Sequence, residues 1–266
     1  MKLDTQSRFA FIETRLYWGE GVTARELAEV FGLARQTAQG VIGDYRQRHP
    51  EAIDFDASRK RQVAGKGFQP RYIRSNVGDF LDYVRGEAML AYYRAQQDWS
   101  ELPFSDVDRL LRPNLRREPI QQVLLALNAQ RAVTLYYQSK RDVQMRDVSP
   151  HHLIFAGNRY HVRGYCHLQQ TFLDFVLTRI IDAVPSTTEW ISSREDKEWN
   201  TLVELRFKPN AGLPDEVQEA LRCDFDFDER GTRGIRCRQA LAFYVKRELL
   251  ALAPRYGTSL WIEVFV

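Results

Sequence analysis

Nothing narrows the possible folds of this 266-residue chain more than residues 148–173, VSPHHLIFAGNRYHVRGYCHLQQTFL. The stretch alternates about Gly157-Asn158, a hairpin-type turn dipeptide in reversed order, as two short antiparallel strands do. It contains no Asp or Glu, yet it holds Arg159, Arg163 and four of the five histidines, His151, His152, His161 and His167. Past the turn, the two-residue period puts Arg159, His161, Arg163 and Tyr165 on one strand face and Tyr160, Val162 and Gly164 on the other. A face of cations and donors with no internal counter-charge is a candidate anion site. The same alternation also suits the solvated face of an antiparallel sheet.

A chain of this length suits two or three small domains. Its net charge of +3 is uneven: residues 1–75 hold 13 Lys+Arg against 9 Asp+Glu, and residues 119–185 hold 7 against 4. The segments between and after are acidic, 6 against 8 over residues 76–118 and 12 against 14 over residues 186–266. Two basic modules point to two surfaces that meet anions. No apolar run approaches bilayer length and the N-terminus lacks a signal-peptide pattern, so a cytoplasmic protein with no membrane partner is expected. Cys166, Cys223 and Cys237 are odd in number and far apart, which predicts free thiols and no metal site.

At the N-terminus, Phe9, Ile12, Leu16 and Tyr17 recur at helical spacing before a break at Gly19-Glu20-Gly21. Thr23 with Glu26 three residues later forms a capping box opening a short helix, with Leu27, Ala28 and Val30 inward. After Phe31-Gly32-Leu33, a second helix is expected over residues 34–47, with Ala38, Val41, Ile42 and Tyr45 inward and Arg35, Gln36, Thr37 and Gln39 outward. Those outward side chains suit a helix entering a DNA major groove. Two strands follow around Ile53-Phe55 and Arg61-Val63, and then Gly65-Lys66-Gly67 as a flexible basic tip. The order is that of a winged helix-turn-helix with Thr23 at its helix cap and Arg59, Lys60 and Lys66 available for phosphates. A three-helix bundle with an unrelated hairpin is the competing arrangement.

An amphipathic helix is expected over residues 79–98, then a charged linker with a short helix at 107–111. A helix near 120–128 and a strand at 133–137 lead into the hairpin, followed by a strand over 172–180 on which Leu173, Phe175, Leu177 and Arg179 share a face. An arginine in that row needs a distant acid, a solvent-reaching end, or a bound anion. The remainder alternates strand (202–207), helix (213–221), strand (within 223–238), helix (239–249) and strand (260–264), a ferredoxin-like α+β order.

Three runs, Ser149-Pro150-His151, residues 157–165 and residues 175–180, together resemble the WYL domain of bacterial transcription regulators. Arg159-Tyr160-His161 stands where the naming tripeptide would be, retaining only its Tyr. The whole chain is similar to the winged-helix WYL regulators associated with anti-phage defence islands (BREX- and CBASS-type repressors). The resemblance implies an α+β multidomain chain: a winged helix-turn-helix at 1–75, linker and dimerisation helices at 76–118, a WYL barrel of Sm- or SH3-like type at 119–185, and a WCX extension at 186–266. It further implies a homodimeric repressor on a palindromic double-stranded operator, without cofactor or catalytic residues. An anionic effector, nucleotide or oligonucleotide, would be sensed through Ser149, His151, Tyr160, His161, Arg163 and Arg179. Two rival readings are a metal-independent nuclease using the His/Arg cluster and an adaptor whose barrel binds single-stranded nucleic acid constitutively.

Overall fold

The computed structural model describes residues 3–86, 114–225, 227–251 and 258–264. Its N-terminal unit is built on α1 (Leu3–Trp18), α2 (Ala24–Phe31) and α3 (Arg35–Arg48). The capping box at Thr23 closes as the spacing requires: the hydroxyl accepts the Glu26 N–H and the Glu26 carboxylate accepts the Thr23 N–H. Gly32 ends α2 in the left-handed region (φ 62°), where a side chain would be strained. Val30, expected inward, is 59% exposed, because α2 meets its neighbours through Leu27, Ala28 and Phe31. The hairpin of β1 (Ile53–Asp56) and β2 (Arg61–Ala64) gains a third short strand at Val22, whose N–H and C=O pair with Gln62. Gly21 makes this possible: at φ 107° its backbone lies so close to Gln62 that a Cβ would meet the carbonyl oxygen at 2.0 Å.

The wing tip is the 57–60 turn, where Asp56 accepts from Ser58 and Arg59 and Lys60 takes φ 52°. Gly65-Lys66-Gly67 is not a free tip. The N–H groups of Gly65 and Gly67 donate to the carbonyls of Ala52 and Glu51, so Lys66 sits at the base of the hairpin.

Asn76 caps α4 (Val77–Val84), which accounts for the start of the helix expected at 79–98; its later turns, and the linker helix at 107–111, lie outside the described residues. After α5 (Arg117–Ala129) come β3 (Val133–Gln138), β4 (Val143–Ala156), β5 (Arg159–Cys166), β6 (Thr171–Val176) and β7 (Ile180–Pro185), in the antiparallel order β6-β5-β4-β3-β7. Gly157 and Asn158 both take positive φ (57° and 55°), the paired left-handed turn that twists with its strands. The strand expected over 172–180 stops at Val176, and Leu177–Arg179 forms one 3-10 turn, so Arg179 does not continue the row of Leu173 and Phe175.

A connector carries a 3-10 turn (Ser193–Glu195) and the four-residue α6 (Lys197–Asn200). Beyond it, β8 (Leu202–Pro209), α7 (Asp215–Asp224), β9 (Arg233–Arg238), α8 (Ala242–Ala251) and β10 (Trp261–Val264) make an antiparallel sheet ordered β10-β8-β9 among the described residues. Three apolar cores form among the described residues, and they do not break at residue 75. Ala10 and Trp18 of α1 and Phe80 and Leu81 of α4 share one core with Leu135, Val148, Val162 and Phe175 of the five-stranded sheet. Cys166 is buried, Cys237 half-buried and Cys223 exposed, each a free thiol.

Candidate DNA-reading surface and β5 cluster

Arg35, Gln36, Thr37 and Gln39 are all exposed on the first turn and a half of α3, while Ala38, Ile42 and Tyr45 are buried beneath them. The helix is held from below by Glu13, a fully buried carboxylate of α1. One Glu13 oxygen accepts the Tyr45 hydroxyl (3.1 Å) and the other accepts the N–H groups of Arg71 and Tyr72 (2.8 and 2.7 Å). Burial pushes its carboxyl above the ordinary range, against the pull of those donors. On the wing side, Arg46 of α3 donates to Gln62 (2.6 Å). Arg59, Lys60 and Lys66 are exposed, Arg59 within 3.8 Å of Asp56. Thr23 is half-buried with its hydroxyl committed to the cap, which leaves its role at the surface one of fixing α2.

The cluster on β5 differs from its expected form in one decisive respect. The cationic face of β5 is not without counter-charge. Arg163 is buried and donates to three carboxylates: Nε and Nη2 grip Asp196 (2.6 and 3.0 Å), Nη1 reaches Asp174 (3.0 Å) and Nη2 reaches Glu198 (3.1 Å). Asp174 sits directly opposite Arg163 in the β5–β6 register, and the other two acids arrive from the connector. Burial alone would weaken the guanidinium as a cation, but Asp196 and Asp174 more than reverse this and hold its pKa above the usual value.

His151 falls where the β4–β5 register slips between Pro150 and His152. Its Nδ1 lies 2.6 Å from Nδ1 of His152 and its Nε2 lies 3.2 Å from Asp196. Burial, then the neighbouring His152, lowers its pKa to about 4 despite Asp196. The ring of His152 packs on Trp199 at 4.2 Å. His161 is buried against Tyr244 of α8 (5.3 Å), with an Nδ1 that finds no partner, and burial lowers its pKa. Tyr244 in turn donates to Asp174 (2.8 Å). His151, His161 and Arg163 are therefore brought together, under the connector and α8.

The other three ligand candidates lie elsewhere. Ser149 is fully buried and accepts the Ile191 N–H (3.0 Å) while bonding His167 Nε2 (2.9 Å). Tyr160 points to the opposite face of β5, where its hydroxyl donates to the buried Asp82 of α4. Beside it, Arg85 stacks over the Phe155 ring at 3.8 Å. Arg179 is half-buried on the 3-10 turn and, among the described residues, makes no ion pair and no bond to the cluster. Asp82, Asp196, Glu198 and Tyr244 carry much of this geometry and escaped the sequence reading, because each joins its partner from 33 to 83 residues away. Among the described residues no group of His, Cys, Asp and Glu is placed to hold a metal, and no helix is long and apolar enough to cross a membrane.

Three family models match the chain in order. Residues 4–86 match the BrxR transcriptional regulator winged helix-turn-helix domain, residues 118–185 the WYL domain, and residues 202–254 the BrxR transcriptional regulator C-terminal dimerization domain. The DNA-binding transcriptional repressor CapW of Escherichia coli (strain KTE188) is 29% identical over 248 residues, 92% of this chain and 82% of that protein. CapW of Pseudomonas aeruginosa matches to the same extent, and CapW of Stenotrophomonas maltophilia is 26% identical over 249 residues, 91% of this chain and 82% of that protein. Among solved structures, proteasome accessory factor B/C of Arthrobacter aurescens is 15% identical, with 88% of this chain covering 42% of that one at a TM-score of 0.29.

Proposed function

The chain belongs to the BrxR-type winged-helix regulators with a WYL domain, and from that membership we propose that it is a homodimeric, sequence-specific repressor of an anti-phage defence operon, not an enzyme. The observation that carries the proposal is the first turn of α3. Four exposed hydrogen-bonding side chains, Arg35, Gln36, Thr37 and Gln39, stand on a helix fixed from below by Glu13 and from the wing by Gln62. Arg and Gln are the side chains that read guanine and adenine edges in pairs of hydrogen bonds, while Arg59, Lys60 and Lys66 meet phosphates. In a two-fold dimer, two such helices would meet half-sites about 34 Å apart on a palindromic operator.

We infer a division of labour with head at 1–75, linker at 76–118, sensor at 119–185 and C-terminal extension at 186–266. An Sm- or SH3-like barrel is supported by the strand order and by the 3-10 turn before β7. A ferredoxin-like extension is supported by the alternation of β8, α7, β9, α8 and β10. The sensor responds to an anionic effector at His151, His161 and Arg163, with Ser149 and Tyr160 shaping the barrel around them and Arg179 a second cationic position. Cytoplasmic location follows from work on chromosomal DNA. The buried, hydrogen-bonded histidines favour neither the nuclease nor the adaptor reading.

The test is a gel shift of the full chain on its own upstream DNA across a salt series, with Arg35→Ala and Lys60→Ala beside it. Arg35→Ala should erase the preference over scrambled DNA by about 1–3 kcal/mol. Lys60→Ala should weaken both DNAs alike and flatten the salt slope by about one unit. Equal, steeply salt-dependent binding to operator and scrambled DNA by the unaltered protein would overturn the repressor reading.

A further inference from the structure

Arg163 is over-supplied with acid. One carboxylate neutralises a guanidinium, and Asp174 of the barrel already stands opposite it at 3.0 Å. The connector adds two more. Asp196 takes the guanidinium fork with both oxygens, at 2.6 and 3.0 Å, and Glu198 closes on Nη2 at 3.1 Å. The bidentate fork is the geometry in which arginine holds a phosphate as readily as a carboxylate. Asp196 Oδ2 is also 3.2 Å from His151 Nε2, so the oxygen pair lies between two donors of the barrel face.

The segment that delivers these acids contributes no strand to either sheet; its bonds to β4, from the Ile191 N–H to Ser149 and from the Trp190 ring N–H to the Pro150 carbonyl, lie upstream of both acids. It lies between β7, which ends at Pro185, and β8, which begins at Leu202, and no residue of it pairs in a ladder. With the connector in place, Arg163 faces three carboxylates and the cleft repels an anion. With it withdrawn, Arg163 faces Asp174 alone among these acids, the repulsion is gone, and the guanidinium fork and the His151 ring are open to an anion's oxygens.

We propose that the Arg163–His151 cleft is a phosphate-binding site held shut in cis by Asp196 and Glu198, whose carboxylates occupy the place of an effector's phosphate oxygens. The proposal rests on the reading of the barrel as a sensor of anions. Displacement is then the signal. Trp199 leaves His152, and the Arg238 guanidinium loses the Trp199 carbonyl it grips at 2.6 Å, so the C-terminal dimerisation unit is loosened from the barrel.

The experiment is calorimetric titration of the full-length protein with a short 5′-phosphorylated single-stranded oligodeoxynucleotide and with inorganic phosphate, the unphosphorylated oligomer serving as control. Three variants are titrated beside the unaltered chain: Glu198→Gln, Asp196→Asn and Arg163→Gln. Glu198 is 60% exposed at its side chain, so its variant keeps the fold, and Asn at 196 retains an oxygen to cap the Trp199 N–H. Removal of one competing charge-assisted bond should tighten the phosphorylated probe roughly fivefold in Glu198→Gln and more in Asp196→Asn, while Arg163→Gln loses it. Equal affinity in the unaltered chain, Glu198→Gln and Asp196→Asn would overturn the displaceable acid and leave the sensor reading standing. Undiminished binding by Arg163→Gln would move the site elsewhere and overturn the proposal. Failure of every folded variant to bind phosphate in either form would overturn the anion-sensing reading with it.

Discussion

Thr23 and His151 show how single side chains tie local chemistry to stability. The Thr23 hydroxyl satisfies the Glu26 N–H, and the Glu26 carboxylate it orients also accepts from Arg15 and Arg61 (2.9 and 2.8 Å). Burial raises the Glu26 pKa, but the Thr23 N–H and Arg61 outweigh it, so the carboxylate stays ionised below the usual range. Thr23→Ala should therefore cost about 1 kcal/mol in urea unfolding, and Thr23→Ser very little. An alanine variant as stable as the parent would show that the cap contributes nothing. His151 gives a pH dependence. Its folded pKa of about 4 lies below the ordinary 6.5, so the fold favours the neutral ring. That contribution is complete above about pH 6.5 and is lost as pH falls toward 4, with an upper bound of about 3 kcal/mol. Urea midpoints at pH 7, 6 and 5 should fall in the parent and fall less in His151→Gln. Parallel slopes would assign the loss to His152 or His161, which burial shifts the same way.

At the scale of elements, β5 is a strand with two audiences. Tyr160 faces α4 through Asp82, whereas His161 and Arg163 face the connector and α8. Tyr160→Phe leaves a buried carboxylate short of one donor, which should cost about 1–3 kcal/mol and raise amide exchange across Val77–Val84. Unchanged exchange there would mean that the bond does not hold α4 to the five-stranded sheet. The alternation behind this arrangement is legible in the sequence, because a two-residue period and a Gly-Asn turn need no distant information. The same holds for the capping box, the α2-turn-α3 order and the grouping of Arg35, Gln36, Thr37 and Gln39. What a strand face meets is not legible. The acid-free run around Arg163 reads as an unpaired cationic surface because Asp174 reaches it only through the β5–β6 register and its other two counter-ions, Asp196 and Glu198, lie 33 and 35 residues on. Gly65-Lys66-Gly67 reads as a loose tip for the same reason, since its anchors are the carbonyls of Glu51 and Ala52.

Over the whole molecule, the C-terminal unit carries the most exposed aromatic side chain of α8. Phe243 is 68% exposed and Leu250 57%, whereas Tyr244 beside Phe243 docks on Asp174 of β6. Residues 202–254 match a dimerisation domain, and large exposed apolar side chains are what such an interface buries. Phe243→Glu should convert dimer to monomer in sedimentation and weaken operator binding sharply, with the melting temperature of the monomer little changed. A dimeric variant would place the interface on another face. The common core of α1, α4 and the five-stranded sheet bears on how regulators of this kind can be recombined. Trp18 stacks on Phe80 at 4.6 Å, and both belong to the core of the sheet. A chimera that joins this head to a foreign sensor at residue 75 would leave half of a shared interior behind. One that carries residues up to 86 and keeps a Phe and a Tyr at the positions of Phe155 and Tyr160 transplants plug and socket together, so interchangeable parts in this architecture begin after α4.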